Sequence, residues 1–249
     1  MYSLKAQPKD VFFSLMCVAR RISRQTNLGD NKAEIQFISR HLSSNRGVIM
    51  KEKISAFWKW FVDNEQIIKD CLEDEASEDR VYVSDQLNEL ILDLGTFTWD
   101  IGLNDSNEWF LIISPNGNNE RHKVSQKIIH AAPYELNWTL HSSKPAKNWD
   151  RKFKVYNSEL DEVDVDAADW EYIAFDEDDG RVELIIEAKN IRLFDIDTAE
   201  SAANVFVVNE LGEYAKMQRV SKVSIVEAVE EEYADTKTAI RHLRRDLGV

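Results

Sequence analysis

The chain has 249 residues, with 31 basic and 45 acidic side chains, a formal net charge of −14 and 43% hydrophobic residues. This composition is typical of a soluble globular protein with a buried core. The negative charge argues against nucleic-acid binding, which depends on lysine and arginine, and no apolar run reaches the roughly 20 residues of a transmembrane helix. Cys17 and Cys71 are the only cysteines, too few for a disulfide framework or a cysteine zinc site, and they predict a reducing cytosol.

The charge is unevenly distributed along the chain. Residues 1–49 carry eight basic and three acidic side chains, so the remaining residues carry a net charge of −19. This segment lacks the cleavage site of a secretory signal, although its arginines and serines loosely fit an organelle transit peptide. Residues 46–50 can also be back-translated to a bacterial ribosome-binding sequence followed by a start codon. We therefore predict that Met50 is the natural start and that residues 1–49 are a non-native or disordered extension.

The first predicted region, residues 50–150, begins with two helices. Apolar side chains recur every three or four residues over 54–72 and 83–94, as expected of helices that each bury one face. The period then changes to two, which predicts strands. The following segments are a strand at 97–101, a strand at 109–113, a helix at 124–132 and a strand at 136–140. This region therefore predicts a helical hairpin and a ββαβ unit.

A second ββαβ unit is predicted in residues 151–249. Its segments are a hairpin over 172–186, a helix over 198–211 that Gly212 ends, and a strand over 220–225. The last segment, 229–247, has helical apolar spacing, with glutamates at its start and arginines at its end that complement the helix dipole. The predicted fold class is α+β, with two ferredoxin-like ββαβ units, an N-terminal helical hairpin and a C-terminal helix.

Short motifs in both units resemble those of a family of bacterial proteins with no assigned activity. The motifs are Trp99-Asp100-Ile101-Gly102, Ile112-Ile113-Ser114-Pro115-Asn116-Gly117-Asn118, Ala131-Ala132-Pro133, Trp138, Lys144-Pro145, Asp169-Trp170 and Leu211-Gly212-Glu213. The resemblance covers about residues 54–227 and excludes the first 49. It implies a bacterial, cytoplasmic protein and supplies no catalytic residue.

Ser114 follows a predicted strand and precedes a helix, a position where a nucleophile can stand. The nucleophile elbow G-x-S-x-G is absent, because neither glycine position holds glycine. His122 and His130 would lie about 12 Å apart on one helix, too far for one metal, and phosphate-binding glycine loops are missing. We therefore expect no metal and no cofactor. The alternative function is a small-molecule hydrolase that uses Ser114, Asn116 and either His122 or His141 in a cleft between the two units.

The strongest concentration of charge lies between residues 159 and 187, where thirteen acidic residues accompany one basic residue. A charged face of this kind predicts a surface for a basic protein partner, with Asp161, Asp164 and Asp166 as contact residues. Trp149 lies in a polar loop and is the best candidate for an exposed aromatic contact. The preferred function is a non-enzymatic binding or interaction module, since no catalytic motif has the required spacing.

Overall fold

The structure is a computed structural model that describes residues 3–5, 32–74 and 76–249, with side chains from residue 47 onward, position 75 excepted. Most of segment 1–49 lies outside the described residues, so the predicted extension and the start at Met50 stay predictions. The chain divides into two compact units. The first contains Met1–Pro115 and Lys123–Ser142, and the second contains Asn116–His122 and Ser143–Val249. The second unit thus also includes the segment Asn116–His122, which lies inside the first predicted region.

Three helices precede the strands Thr98–Leu103 and Trp109–Ser114 in the first unit. They are α1 (Lys32–Asp63), α2 (Glu65–Glu73) and α3 (Asp79–Leu94). Their apolar stripes meet in one core, where Phe57, Phe61 and Leu87 are fully buried. The predicted helices are therefore present, with a break at Asn64 that separates α1 from α2.

The first sheet has the strand order β1-β2-β3-β4. Its strands and the helix before the last strand are β1 (Ser3–Lys5), β2 (Thr98–Leu103), β3 (Trp109–Ser114), α4 (Asn119–His130) and β4 (Thr139–His141). The strands β2 and β3 form an antiparallel hairpin, and β4 pairs with β3 in parallel. A helix between two parallel strands is the connection that such pairing requires.

The second unit contains a two-stranded sheet and a four-stranded sheet with the order β10-β7-β8-β9. Its elements are β5 (Lys152–Tyr156), β6 (Glu162–Asp166), β7 (Glu171–Asp176), β8 (Val182–Glu187), α5 (Ile196–Leu211), α6 (Glu213–Arg219), β9 (Val220–Val226), β10 (Thr238–Ala239) and α7 (Leu243–Asp246). The inner face of the larger sheet packs against α5, and Leu184, Ile186 and Phe206 are fully buried there.

The α+β class is confirmed, and both units contain strands and helices in the predicted order ββαβ. The ferredoxin-like arrangement is not found. The strand after the helix pairs directly with the strand before it, β4 with β3 and β9 with β8, whereas a split βαβ unit has another strand between its parallel pair. Among the described residues, no helix combines the length and the apolar character needed to cross a bilayer.

The predicted C-terminal helix over 229–247 is wrong. This segment forms a 3₁₀ helix at Glu231–Thr236, the strand β10, a second 3₁₀ helix and the short α7. Contacts with residues distant in sequence explain why this segment is not one helix. The Lys237 ammonium lies 2.7 Å from the Glu187 carboxylate and 3.0 Å from that of Glu171. Glu187 is buried, and a continuous helix would withdraw the cation that compensates its charge.

Candidate functional site

The first unit contains a groove of about 1070 Å³. One wall is the part of α1 between residues 47 and 63, and the other is residues 127–136, where α4 ends and the chain runs toward β4. Its apolar lining consists of Met50, Ile54, Trp58, Val62, Ala131, Pro133 and Leu136. Since a helix rises about 1.5 Å per residue, the groove extends for about 24 Å along α1.

The walls of the groove follow from local sequence. Met50, Ile54 and Trp58 recur every four residues, so they lie on one face of α1. The Trp58 indole N–H donates a hydrogen bond of 2.7 Å to the carbonyl of Ile128, which ties α1 to α4. Pro133 follows the end of α4 and cannot continue it. The chain therefore turns away after α4 and forms the second wall.

Charged groups surround the apolar lining of the groove. Glu65 lies at one end, where its carboxylate accepts hydrogen bonds from Lys69 at 2.6 Å and from the Trp138 indole at 2.9 Å. The hydrogen bond from Lys69 is the main reason that the pKa of Glu65 is lowered, and burial opposes it. Lys51 and Glu135 also line the groove. An apolar centre with a charged border is the arrangement that binds an amphipathic helix.

The groove residues were not predicted as a site, because helical spacing assigns them to the core, and Ile54 and Trp58 do lie in that core with 7% and 3% of their surface exposed. The sequence signal that indicates the groove is the width of the apolar stripe on α1. Phe57 and Phe61 are fully buried in the core, while Val62 is next in sequence to Phe61 and is 42% exposed. A stripe wider than the core requires indicates a second apolar contact surface.

The second unit contains a buried carboxylate, Glu213, at the start of α6. Its side chain accepts a hydrogen bond of 2.7 Å from the backbone N–H of Gly117 and one of 3.0 Å from that of Lys144. The backbone N–H of Glu213 in turn donates to the carbonyl of Lys144 at 2.8 Å. Three of the motifs that carry the resemblance, around Gly117, Lys144 and Glu213, thus meet at one carboxylate.

His122 and Lys216 share the surroundings of Glu213. The His122 ring lies 4.8 Å from the Tyr214 ring, and burial lowers the pKa of His122 against the opposing effect of Glu213. Burial also lowers the pKa of Lys216, again opposed by Glu213. The hydrogen bonds of Glu213 join chain segments that are distant in sequence, so we assign this cluster a structural role.

Of the residues of the alternative hydrolase, Asn116 is exposed and His141 is half-buried, while Ser114 and His122 are buried. Ser114 ends β3 and is only 1% exposed. His141 lies on the neighbouring strand β4, where burial lowers its pKa. None of Ser114, Asn116, His122 and His141 lines the groove along α1. No three potential metal ligands cluster within the described residues.

The predicted acidic contact residues are exposed, but lysines lie opposite two of them. Asp164 pairs with Lys154 and Asp166 pairs with Lys152 across the β5–β6 hairpin. The Lys152 ammonium is 3.4 Å from the Asp166 carboxylate, whereas Asp161 lies in the turn before β6. The two lysines therefore offset part of the negative charge of this hairpin. The acidic segment 159–187 does not reveal this, because Lys152 and Lys154 precede it in the sequence.

Trp149 is half-buried rather than exposed. Its ring packs 5.5 Å from Phe153 and 5.7 Å from Phe206, and it borders the core of the second unit. Its indole N–H donates to Glu210 at 3.1 Å, and the same buried carboxylate pairs with Arg151 at 2.9 Å. The loop that contains Trp149 thus lies against α5, and the half-buried ring contacts residues of the second unit.

The chain matches no known protein family, no curated protein and no solved structure. The resemblance to a bacterial family therefore stays a prediction. The function has to be argued from the groove and the charges.

Proposed function

We propose that this protein is a non-enzymatic binding module whose groove along α1 receives the apolar face of an amphipathic helix from a protein partner. The observation that carries the proposal is the groove itself, which is apolar inside and charged at its border. The partner helix has a basic polar face, and the module acts in the reducing cytosol of a bacterium.

The dimensions of the groove favour a helix over a small ligand. Its volume of about 1070 Å³ lies at or above the upper end of small-molecule sites, which run from about 300 to 1,000 Å³. A partner helix of about 16 residues would match its length of about 24 Å. Val62 at one end is 42% exposed, so an apolar side chain of the partner would gain by covering it.

The overall charge supports the choice of a basic partner, since the border of the groove itself is balanced. Its cations are Lys51, Lys59 and Lys127, and its carboxylates are Asp63, Glu65 and Glu135. The whole chain carries a net charge of −14, and such a field speeds the encounter with a cationic helix. Asp161, Asp164 and Asp166 contribute to this field in the proposal, although Lys152 and Lys154 offset part of their charge. They therefore serve attraction at a distance rather than forming the binding site.

The test is a binding measurement with a designed peptide. The probe is a fluorescein-labelled helix of about 16 residues with leucines on one face and lysines on the other. We expect the full chain to bind it and the variant Val62→Arg to bind at least about tenfold more weakly, because the variant removes apolar contact and adds like charge. Fluorescence anisotropy measures both affinities.

A matched substitution separates the groove from general charge effects. Val81 lies on α3 and is 69% exposed, so Val81→Arg adds the same charge outside the groove and should leave affinity within about twofold. A peptide of the same composition with a scrambled order should bind weakly. Equal losses for Val62→Arg and Val81→Arg, or equal affinities of the two peptides, would show that the groove is not the site.

A further inference from the structure

The strand β9 forms an open edge of the larger sheet in the second unit. The order of that sheet is β10-β7-β8-β9, so β10 covers the outer edge of β7, and no strand of the described chain pairs with the outer edge of β9. β9 is seven residues long. A long unpaired edge presents backbone N–H and C=O groups to any strand that can align with them.

The usual protections of an edge strand are weak in β9. Its sequence contains no proline, and its one charged residue, Lys222, is drawn toward β8, where its ammonium lies 2.6 Å from the Glu183 carboxylate. The irregularity in the β8–β9 pairing lies near Val220, at the start of β9. Five consecutive residues, 222–226, are therefore in regular register with β8 and form a straight edge.

Two apolar side chains on this edge are only half covered. Val223 and Ile225 pack against the core of the second unit and remain partly exposed. They lie two residues apart on the same face of the sheet, and Ser224 lies between them on the opposite face. A second strand beside β9 would bury the exposed part of both.

We propose that β9 pairs with β9 of a second copy of this chain, antiparallel about a two-fold axis at Ser224, to form a continuous eight-stranded sheet. In this register Val223 lies opposite Ile225 of the second copy, and Lys222 lies opposite Val226. The two Lys222 residues are four positions apart along the strands, about 13 Å, which exceeds the screening length of about 8 Å at physiological salt. Apolar side chains thus lie opposite each other on both sides of the axis and the two lysines are kept apart, and the proposal is independent of the groove.

The test uses charge at the symmetry axis. Sedimentation velocity on the full chain, at loading concentrations from about 1 μM to about 1 mM, should show a monomer–dimer equilibrium. Ser224→Lys and Ser224→Glu each place like charges opposite each other and should weaken the dimer at least about tenfold. Mixing the two variants should restore a dimer, which native mass spectrometry identifies as the heterodimer by mass. Ser201→Lys, at an exposed position on α5, should dimerise like the original chain.

Each result either supports or overturns the proposal. A chain that stays monomeric at the highest concentration overturns it, as does a dimer that Ser224→Lys leaves unchanged. Two monomeric variants that fail to combine also overturn it, because a misfolded edge or another interface would then explain their loss. Recovery of the heterodimer supports it, since neither misfolding nor a remote interface would respond to opposite charges at one residue.

Discussion

Glu213 shows how one side chain joins segments of the second unit that are far apart in sequence. Its carboxylate accepts from the backbone N–H groups of Gly117 and Lys144, 96 and 69 residues away. Glu213→Ala would leave both donors without this acceptor, and water reaches the exposed Gly117 more easily than the half-buried Lys144. A buried unpaired donor costs about 1–3 kcal/mol, and we expect the free energy of unfolding to fall by about 1–3 kcal/mol in urea denaturation.

Two other variants test whether the loss of stability comes from the Glu213 carboxylate. Glu213→Gln keeps one oxygen acceptor and should lose less than Glu213→Ala. Glu200 is exposed on α5, and Glu200→Ala should change stability by no more than about 0.5 kcal/mol. If Glu213→Ala were as stable as Glu200→Ala, the carboxylate would not be what holds these segments.

At the scale of residues, the sequence could identify types and spacings but not these partners. Asn116 and Gly117 adopt positive φ angles of 52° and 69°, which is typical of asparagine and glycine in turns. Nothing in the local pattern indicated that the amide of Gly117 would meet Glu213. The lysines opposite Asp164 and Asp166 were equally hidden, because they face the aspartates only once the β5–β6 hairpin has formed.

Gly212 controls the junction between the elements α5 and α6. Its φ of +83° lies in the region that favours glycine, and a Cβ there would lie 3.0 Å from the backbone nitrogen of Ala146. Gly212→Ala therefore adds a clash to backbone strain, and we expect it to cost about 2–4 kcal/mol. Gly180 has a similar φ of +80° and open space around it.

The comparison with Gly180 makes the Gly212 prediction specific. Gly180→Ala carries only the strain of a positive φ and should cost about 1–2 kcal/mol in the same thermal or urea unfolding measurement. The difference between the two variants reports the close approach of the 144–146 loop together with the strain of ψ 150° at Gly212, a region that almost only glycine adopts. Equal losses at both positions would mean that neither effect opposes the alanine at residue 212.

Elements with strong periodicity were predictable, and the element that depends on distant charges was not. α2, α3 and the β7–β8 hairpin match their apolar patterns, because each buries one face in a local core. Segment 229–247 has an equally regular helical spacing, but pairing of Lys237 with Glu171 and Glu187 outweighs it. A local stretch of sequence cannot predict such pairing, because the paired residues are far apart along the chain.

At the scale of the whole molecule, ion-paired carboxylates and buried histidines affect the stability of the fold in different ranges of pH. Glu65 and Glu187 have lowered pKa values, chiefly through hydrogen bonds from Lys69 and Lys237. Carboxylates of this kind stabilise the fold above their unfolded value of about 4.3 and lose that effect as pH falls through the lower folded value. Between about pH 5.5 and 7.5, the change of stability with pH therefore comes mainly from histidine.

Burial lowers the pKa of His122 and His141 in the folded chain, while both titrate near about 6.5 when unfolded. The unfolded state thus binds more protons as pH falls, so their stabilising contribution is complete above about pH 6.5 and is lost progressively below it. Urea denaturation at about pH 7.5 and 5.5 should show lower stability at the acidic value, by at most about 1.4 kcal/mol per histidine per pH unit. The variant His122→Gln/His141→Gln should show a smaller dependence, and an unchanged one would assign the effect to other groups.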